Sequence, residues 1–460
     1  MTKRKNAWDT YGSEDLKKLE EINLAYRYYL DHGKTERECI AEVIRMAEEA
    51  GYIDLDVVVK KGEQLKAGDK VYSAYMSKTI ALYQIGEDPI EQGINILGAH
   101  VDSPRIDVKQ NPLFEESGNA YLDTHYYGGV KKYQWMTIPL ALHGVVVKKD
   151  GTRVNIVIGE KEEDPIFIIT DLLPHLDKEQ REKKVKDFIN GEKMDLLIGN
   201  KPLKGQEKDA VKEAIKELLK QTYDIEENDF TSAELEIVPA GKTRECGLDR
   251  SMIMGYGQDD RVCVYTSVCA MLEQNHVKRT ACCLLVDKEE VGSTGATGMR
   301  SHFFENSLAE LMNCTGEYSE LKLRRALAKS KMLSSDVSAA YDPMFADCFE
   351  KKNSAFLANG LVFNKYTGSG GKNGSSDANP EYVAELRDIM ERNKVLYQTA
   401  ELGAVDVGGG GTIAYLMADY AMNVIDSGVA VLSMHAPWEV TSKADIYEAV
   451  KGYRAFLQEA

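Results

Sequence analysis

The sequence predicts an α/β protein in which a mostly parallel central sheet, flanked by helices, is interrupted by an inserted β-rich second domain. Three observations predict it. Apolar runs of strand length alternate with amphipathic helical stretches toward both ends of the chain, the pattern of a helix-covered parallel sheet. Between residues 104 and 242 that texture gives way to short alternating strands and a lysine- and glutamate-rich helix. A chain of 460 residues also exceeds what one core comfortably serves, and 43% hydrophobic residues can supply two. The expected domains are residues 1–103 with 243–460, and residues 104–242.

In "ERECIAEVIRMAEEAG" the residues Ile40, Val43, Ile44 and Ala47 share one helical face, and Gly51 follows as a C-capping glycine. "KVYSAYMSKTIALYQIG" alternates and is rich in β-branched and aromatic residues, as strands are. "GINILGAHVDSP" is an apolar strand stopped by Pro104, with His100 and Asp102 at its end. Within the insertion, "HGVVVKKDGTRVNIVIG" and "PIFIIT" read as short strands, and Val211, Ala214, Ile215, Leu218 and Leu219 form one stripe along "KDAVKEAIKELLKQTY". The first texture then resumes. It gives a helix over 260–274, strands over 281–286 and near 331–335, a glycine-rich loop "TGSGGKNGSSDANP", a helix over 380–393, a strand over 429–433 and a closing helix over 443–458.

The net charge of −17 leaves no basic stripe for a phosphate backbone, so nucleic acid is not an expected partner. No apolar run approaches the roughly 18 to 20 residues of a membrane-spanning helix, and "MTKRKNAWDTYGSEDLKK" develops no apolar signal core. Eight cysteines without a CxxC pair read as reduced and mostly buried. A cytoplasmic protein is expected.

In open α/β sheets ligands sit beyond the carboxyl ends of the strands. Here "INILGAH" ends in His100, "CCLLVDKEE" in Glu289 and Glu290, "KMLSSD" in Asp336 and "VAVLSMH" in His435, while Asp259 of "GQDDR" opens an amphipathic helix whose dipole favours a carboxylate. Taken singly, each has a bland reading: a structural histidine, an N-cap aspartate, a turn aspartate, a solvated glutamate pair. Together at one sheet edge they would repel one another unless cations were bound. Two histidines and three carboxylates, without thiolate, suit two zinc, manganese or cobalt ions about 3.5 to 4 Å apart. Asp259, Glu290 and Asp336 cancel three of the four positive charges, and the remainder can hold a bridging water as hydroxide. Because consecutive residues after a strand cannot both point at the same atom, Glu290 can ligate while Glu289 faces the metal-bound water as proton acceptor and later passes the proton to the leaving amine. Asp102 is placed to hold the other N–H of His100.

"GAHVDSPR", "GQDDR", "DKEEVGS", "SSDVSAA" and "MHAPWE", in this order, resemble the aspartyl aminopeptidase and aminopeptidase I family of dinuclear zinc exopeptidases, over nearly the whole chain. The resemblance implies a zinc-exopeptidase-like catalytic domain with an inserted dimerisation domain, and a homo-oligomer, a dodecamer built from dimers. It makes His100 and Asp336 ligands of one metal, Glu290 and His435 ligands of the other, Asp259 the bridge, Glu289 the general base and Asp102 its supporting aspartate, with Asp260 the less favoured ligand. It also implies that His175 of "LLPHL" reaches a neighbouring subunit's active site and that Lys365 of "LVFNKYTG" recognises an acidic first side chain. Ala339 departs from the pattern, since relatives specific for acidic termini carry a histidine three residues after the aspartate matched by Asp336. Acidic, neutral and hydrophobic first residues therefore all stay open. The expected function is removal of the N-terminal residue of peptides by a metal-bound hydroxide. The alternatives are a dinuclear dipeptidase or deacylase of the same fold and a non-catalytic self-assembling shell protein.

Overall fold

The computed structural model describes residues 5–460; residues 1–4, the start of the N-terminal stretch read above for a signal, lie outside them. The chain forms two compact units. The first comprises the described residues up to Asp102, Thr243–Met434 and Glu439–Ala460, and the second Ser103–Lys242 with His435–Trp438.

The first unit is built on a nine-stranded sheet. Its order is Ile53–Asp54, Lys70–Tyr75, Thr79–Gln84, Ala281–Val286, Asn95–His100, Lys331–Ser334, Asn423–Gly428, Leu361–Asn364, Tyr397–Thr399. The four strands from Ala281–Val286 to Asn423–Gly428 run parallel, and antiparallel pairs join them on either side. Every residue of Ala281–Val286 and Asn95–His100 is buried, which is why these strands read as continuous apolar runs. Successive residues serve opposite faces: Leu97 and Ala99 join a core with Tyr26, Val43 and Val268, whereas Ile96 joins one with Leu284, Leu308 and Met332. The helix Glu36–Glu49 opens on a capping box, with the Thr35 hydroxyl accepting from the Glu38 amide and the Glu38 carboxylate accepting from the Thr35 amide. The helix Gln258–Leu272 packs on the strand Asn95–His100 and against the closing helix Lys443–Glu459. No helix of the described residues is long and apolar enough to cross a membrane.

A second sheet of the same unit has five short strands, Arg244–Cys246, Met252–Gly255, Glu439–Ser442, Ala430–Leu432 and Ser338–Ala339. The strand expected over 429–433 is Ala430–Leu432 and belongs here, not to the large sheet. The large sheet takes the preceding segment, Asn423–Gly428, whose apolar signal is weak because its buried residues include Asp426 and Ser427. Gly428 has no room for a side chain, since a Cβ there would stand 1.8 Å from the carbonyl oxygen of Asp336.

The second unit holds a six-stranded sheet of order Arg153–Ile158, Leu140–Val147, Ala233–Pro239, Arg105–Glu116, Asn119–Tyr127, Leu196–Gly199, with every pairing antiparallel. "PIFIIT" contributes only isolated bridges, Phe167 to Leu140 and Ile168 to Leu197, in place of the expected strand. Of the stripe on the helix Ala210–Tyr223 only Val211 is buried, and Leu218 stands exposed.

Candidate metal centre

The register of the parallel strands sets the site. Val286 stands beside His100, and Ser334 beside Gly98, so the segments following all three strands leave the sheet at one edge. His100 is almost wholly buried. Its Nδ1 lies 3.0 Å from the main-chain carbonyl of Asp102; a carbonyl only accepts, so Nδ1 carries a proton and, in the neutral imidazole that a metal needs, Nε2 presents its lone pair. Nε2 faces three carboxylates, Asp259 Oδ1 at 3.3 Å, Asp336 Oδ1 at 3.9 Å and Glu289 Oε2 at 4.0 Å.

Asp102 is buried completely, and its carboxylate does more than support the imidazole. Oδ1 lies 3.4 Å from His100 Nδ1, farther than the Asp102 main-chain carbonyl. The two oxygens accept from the Glu289 and Glu290 amides, each at 3.1 Å. One carboxylate thus ties the end of one strand to the turn that follows the other. That turn, Glu289–Val291, is 3-10 helical and opens after Lys288 at φ 71°. His100, Glu289 and Glu290 each offer a ligand atom within 4.8 Å of the others.

Asp259 and Asp260 open the helix Gln258–Leu272, after Gly257 at φ 69°. The Asp259 amide donates to Glu439 Oε2 at 3.1 Å, and Asp260 Oδ2 accepts from the His100 amide at 3.3 Å. Asp260 belongs to the cluster more closely than the sequence suggested: its ligand atom, with those of His100 and Asp336, falls within a 4.8 Å group.

The electrostatics call for a cation. Burial pushes the carboxyl of Asp260 well above its usual range, and burial and then Asp260 do the same to Asp336. Burial pulls the His100 imidazole down, but Asp102, Asp259, Asp336 and Asp260 together lift it well above its ordinary value. Oδ1 of Asp260 is buried without a hydrogen bond among the described residues. A nitrogen lone pair ringed by carboxylate oxygens, with no thiolate, is a donor set that fits a divalent ion of the zinc, manganese or cobalt type.

Three candidates remain, His435, Lys365 and His175. His435 belongs to the second unit, at φ 67°, and its Nδ1 donates to the Gly129 carbonyl at 3.1 Å. It follows a strand of the five-stranded sheet, so the strand-end argument placed it on the wrong sheet. Lys365 is half exposed and pairs with Asp377 at 3.3 Å. His175 lies exposed on a turn of the second unit.

Sequence reasoning missed Arg261, which is entirely buried and donates from Nε to the Val101 carbonyl at 3.3 Å, and Glu439, the acceptor for Asp259. It also passed over Asp426, buried beside Thr412, whose hydroxyl donates to it, and raised to about 7 by burial. Adjacency to "GQDD" was the one available signal for Arg261.

Comparison with known proteins gives a consistent result. The sequence model of the family Aminopeptidase I zinc metalloprotease (M18) matches residues 29–457. A probable M18 family aminopeptidase 1 of Clostridium acetobutylicum is 59% identical over 454 residues, covering 98% of each chain. The crystal structure of aminopeptidase I from that organism superposes with a TM-score of 0.93 at 57% identity, covering 100% of both chains. The M18 aminopeptidase of Thermotoga maritima superposes with a TM-score of 0.95 at 41% identity, again over 100% of both. The yeast mApe1 dodecamer shares the fold, with a TM-score of 0.74 at 19% identity over 95% of this chain and 96% of that one.

Proposed function

Since the chain belongs to the aminopeptidase I (M18) family of zinc metalloproteases and is a metalloaminopeptidase, we propose that it removes first residues from peptides at a centre of two divalent ions, zinc in the first instance. His100 and Asp336 hold one ion, Glu290 and His435 the other, and Asp259 is shared. The observation that carries this reading is the Nε2 of His100, its tautomer fixed from behind and three carboxylates within 4.0 Å in front.

When bound, the ions supply Lewis acidity toward the scissile carbonyl and toward water. The chain supplies the rest. Glu289 takes a proton from water as its oxygen bonds to the carbonyl carbon, then delivers that proton to the departing amine nitrogen as the C–N bond breaks. Asp102 fixes where that carboxylate stands by holding the amides of Glu289 and Glu290. The Asp102 carbonyl keeps the His100 proton on Nδ1.

Lys365 is the residue for an acidic first side chain. Its ammonium is already paired with Asp377, so such a substrate would have to displace a resident carboxylate, whereas a neutral one would not. A neutral first residue is therefore accepted alongside an acidic one. The second unit serves as an inserted dimerisation domain, with His175 reaching toward a neighbouring subunit. The assembly is a homo-oligomer, as in the yeast dodecamer, and the eight free cysteines suit a cytoplasmic setting.

The test is a panel of aminoacyl amides and N-acetylated peptides, assayed after chelation and reconstitution with zinc, cobalt or manganese. Cleavage lost on chelation, restored by metal and confined to free amines is expected, with the relative rates for acidic and neutral first residues setting the preference. Equal cleavage of blocked peptides would overturn the exopeptidase reading.

A further inference from the structure

We propose that Arg261 is a positioning residue for His100, holding the backbone beyond the imidazole so that Nε2 keeps its place before the metal. The inference rests on the reading of His100 as a ligand.

Three consecutive residues at the start of one helix grip the same short stretch of chain. Asp259 Oδ1 faces His100 Nε2 at 3.3 Å, Asp260 Oδ2 accepts from the His100 amide at 3.3 Å, and Arg261 Nε donates to the Val101 carbonyl at 3.3 Å. The Val101 amide donates to the Val286 carbonyl at 2.8 Å, so Arg261 fixes the one polar main-chain group of Val101 that the neighbouring strand leaves. His100 and Asp102 flank that residue. A rotation there would move the imidazole together with the carboxylate that holds the Glu289 turn.

The hydrogen bonds of Arg261 within the fold are few for a buried arginine. Arg261 is wholly enclosed, with its Cζ 5.2 Å from the centre of the Tyr256 ring, and Nη1 and Nη2 have no hydrogen-bond partner among the described residues. Replacing a buried charge with an apolar side chain of like size is often neutral or stabilising. Burial disfavours the guanidinium charge, but Cys39, Tyr256 and the buried Glu36 around it more than offset that cost. The one directed hydrogen bond of the guanidinium is to the chain that carries His100. Lysine keeps the charge but lacks a donor at the Nε position; methionine keeps neither.

Zinc affinity, measured by chelator competition on full-length wild type, R261K, R261M and H100A, with melting temperatures of the apo and loaded forms, tests the assignment. We expect R261K and R261M each to weaken zinc by about 10- to 100-fold, the range for partners that orient a ligand. Wild-type zinc affinity in R261K overturns the assignment, whether R261M binds zinc more tightly, as a pure charge effect requires, or the variants merely melt earlier by equal amounts in both forms. R261K carries the test if R261M does not fold. Undiminished affinity in H100A would instead sink the ligand reading, which separates the two failures.

Discussion

Replacing Asp102 with asparagine gives a sharp prediction because the two residues have nearly the same shape and differ in what they can accept. The Asp102 carboxylate accepts the Glu289 amide on one oxygen and the Glu290 amide on the other, at 3.1 Å each, in a fully buried position. Asparagine offers one oxygen and one NH₂ group, so one of the two amides would meet a donor. A hydrogen bond to a charged acceptor contributes about 1.5–3 kcal/mol, and an unsatisfied buried donor costs a further ~1–3 kcal/mol. A combined loss of about 3 kcal/mol, near two orders of magnitude, falls on the placement of both glutamates. D102N should therefore bind zinc about 10- to 100-fold more weakly by chelator competition, and its kcat should fall even at saturating zinc, because Glu289 is displaced as well. The apo protein should melt a few degrees lower. Wild-type zinc affinity together with wild-type kcat in D102N would show that this carboxylate does not organise the turn.

Glu289→Gln should lower kcat by ~10² to 10⁴ with zinc content unchanged, as loss of a general base requires; elemental analysis beside kinetics checks both halves. Gly428→Ala places a methyl where only 1.8 Å separates it from the Asp336 carbonyl oxygen, so it should cost about 1–3 kcal/mol of stability, as overpacking does, and weaken zinc binding; chemical denaturation read beside a zinc titration shows whether the two losses occur together. Asp426 is raised to about 7, chiefly by burial, above an unfolded value near 3.8. A carboxyl raised on folding binds its proton more tightly in the native state, so its contribution is full below about pH 4 and is lost as pH rises through about 7. The stability of wild type relative to D426N, from urea unfolding of the apo proteins at pH 4, 5.5 and 8, should accordingly fall with pH, and a flat difference would refute the assigned environment.

How much of the site could be read beforehand depended on what kind of signal each residue gave. His100 ends, and Glu289 and Glu290 follow, strands whose every residue is buried, and uninterrupted apolar runs are easily recognised. The geometry of the glutamates was not readable, because a 3-10 turn after Lys288 replaces strand alternation with a different pattern. The strand Asn423–Gly428 escaped notice because Asp426 and Ser427 are buried polar residues, and the more apolar segment after it drew the assignment that placed His435. Arg261 and Glu439 act on the main chain of other segments, and contacts of that kind leave no periodicity to detect.

The tie from Asp102 to the Glu289 turn joins positions 187 residues apart, and the strands beneath it are drawn from equally distant stretches of chain. A ribosome must therefore release residues beyond Asp336 before the strands carrying these side chains can pair. Metal capture is then a late event in the life of the polypeptide, and a chain not yet grown past that point has no pocket with which to compete for scarce zinc.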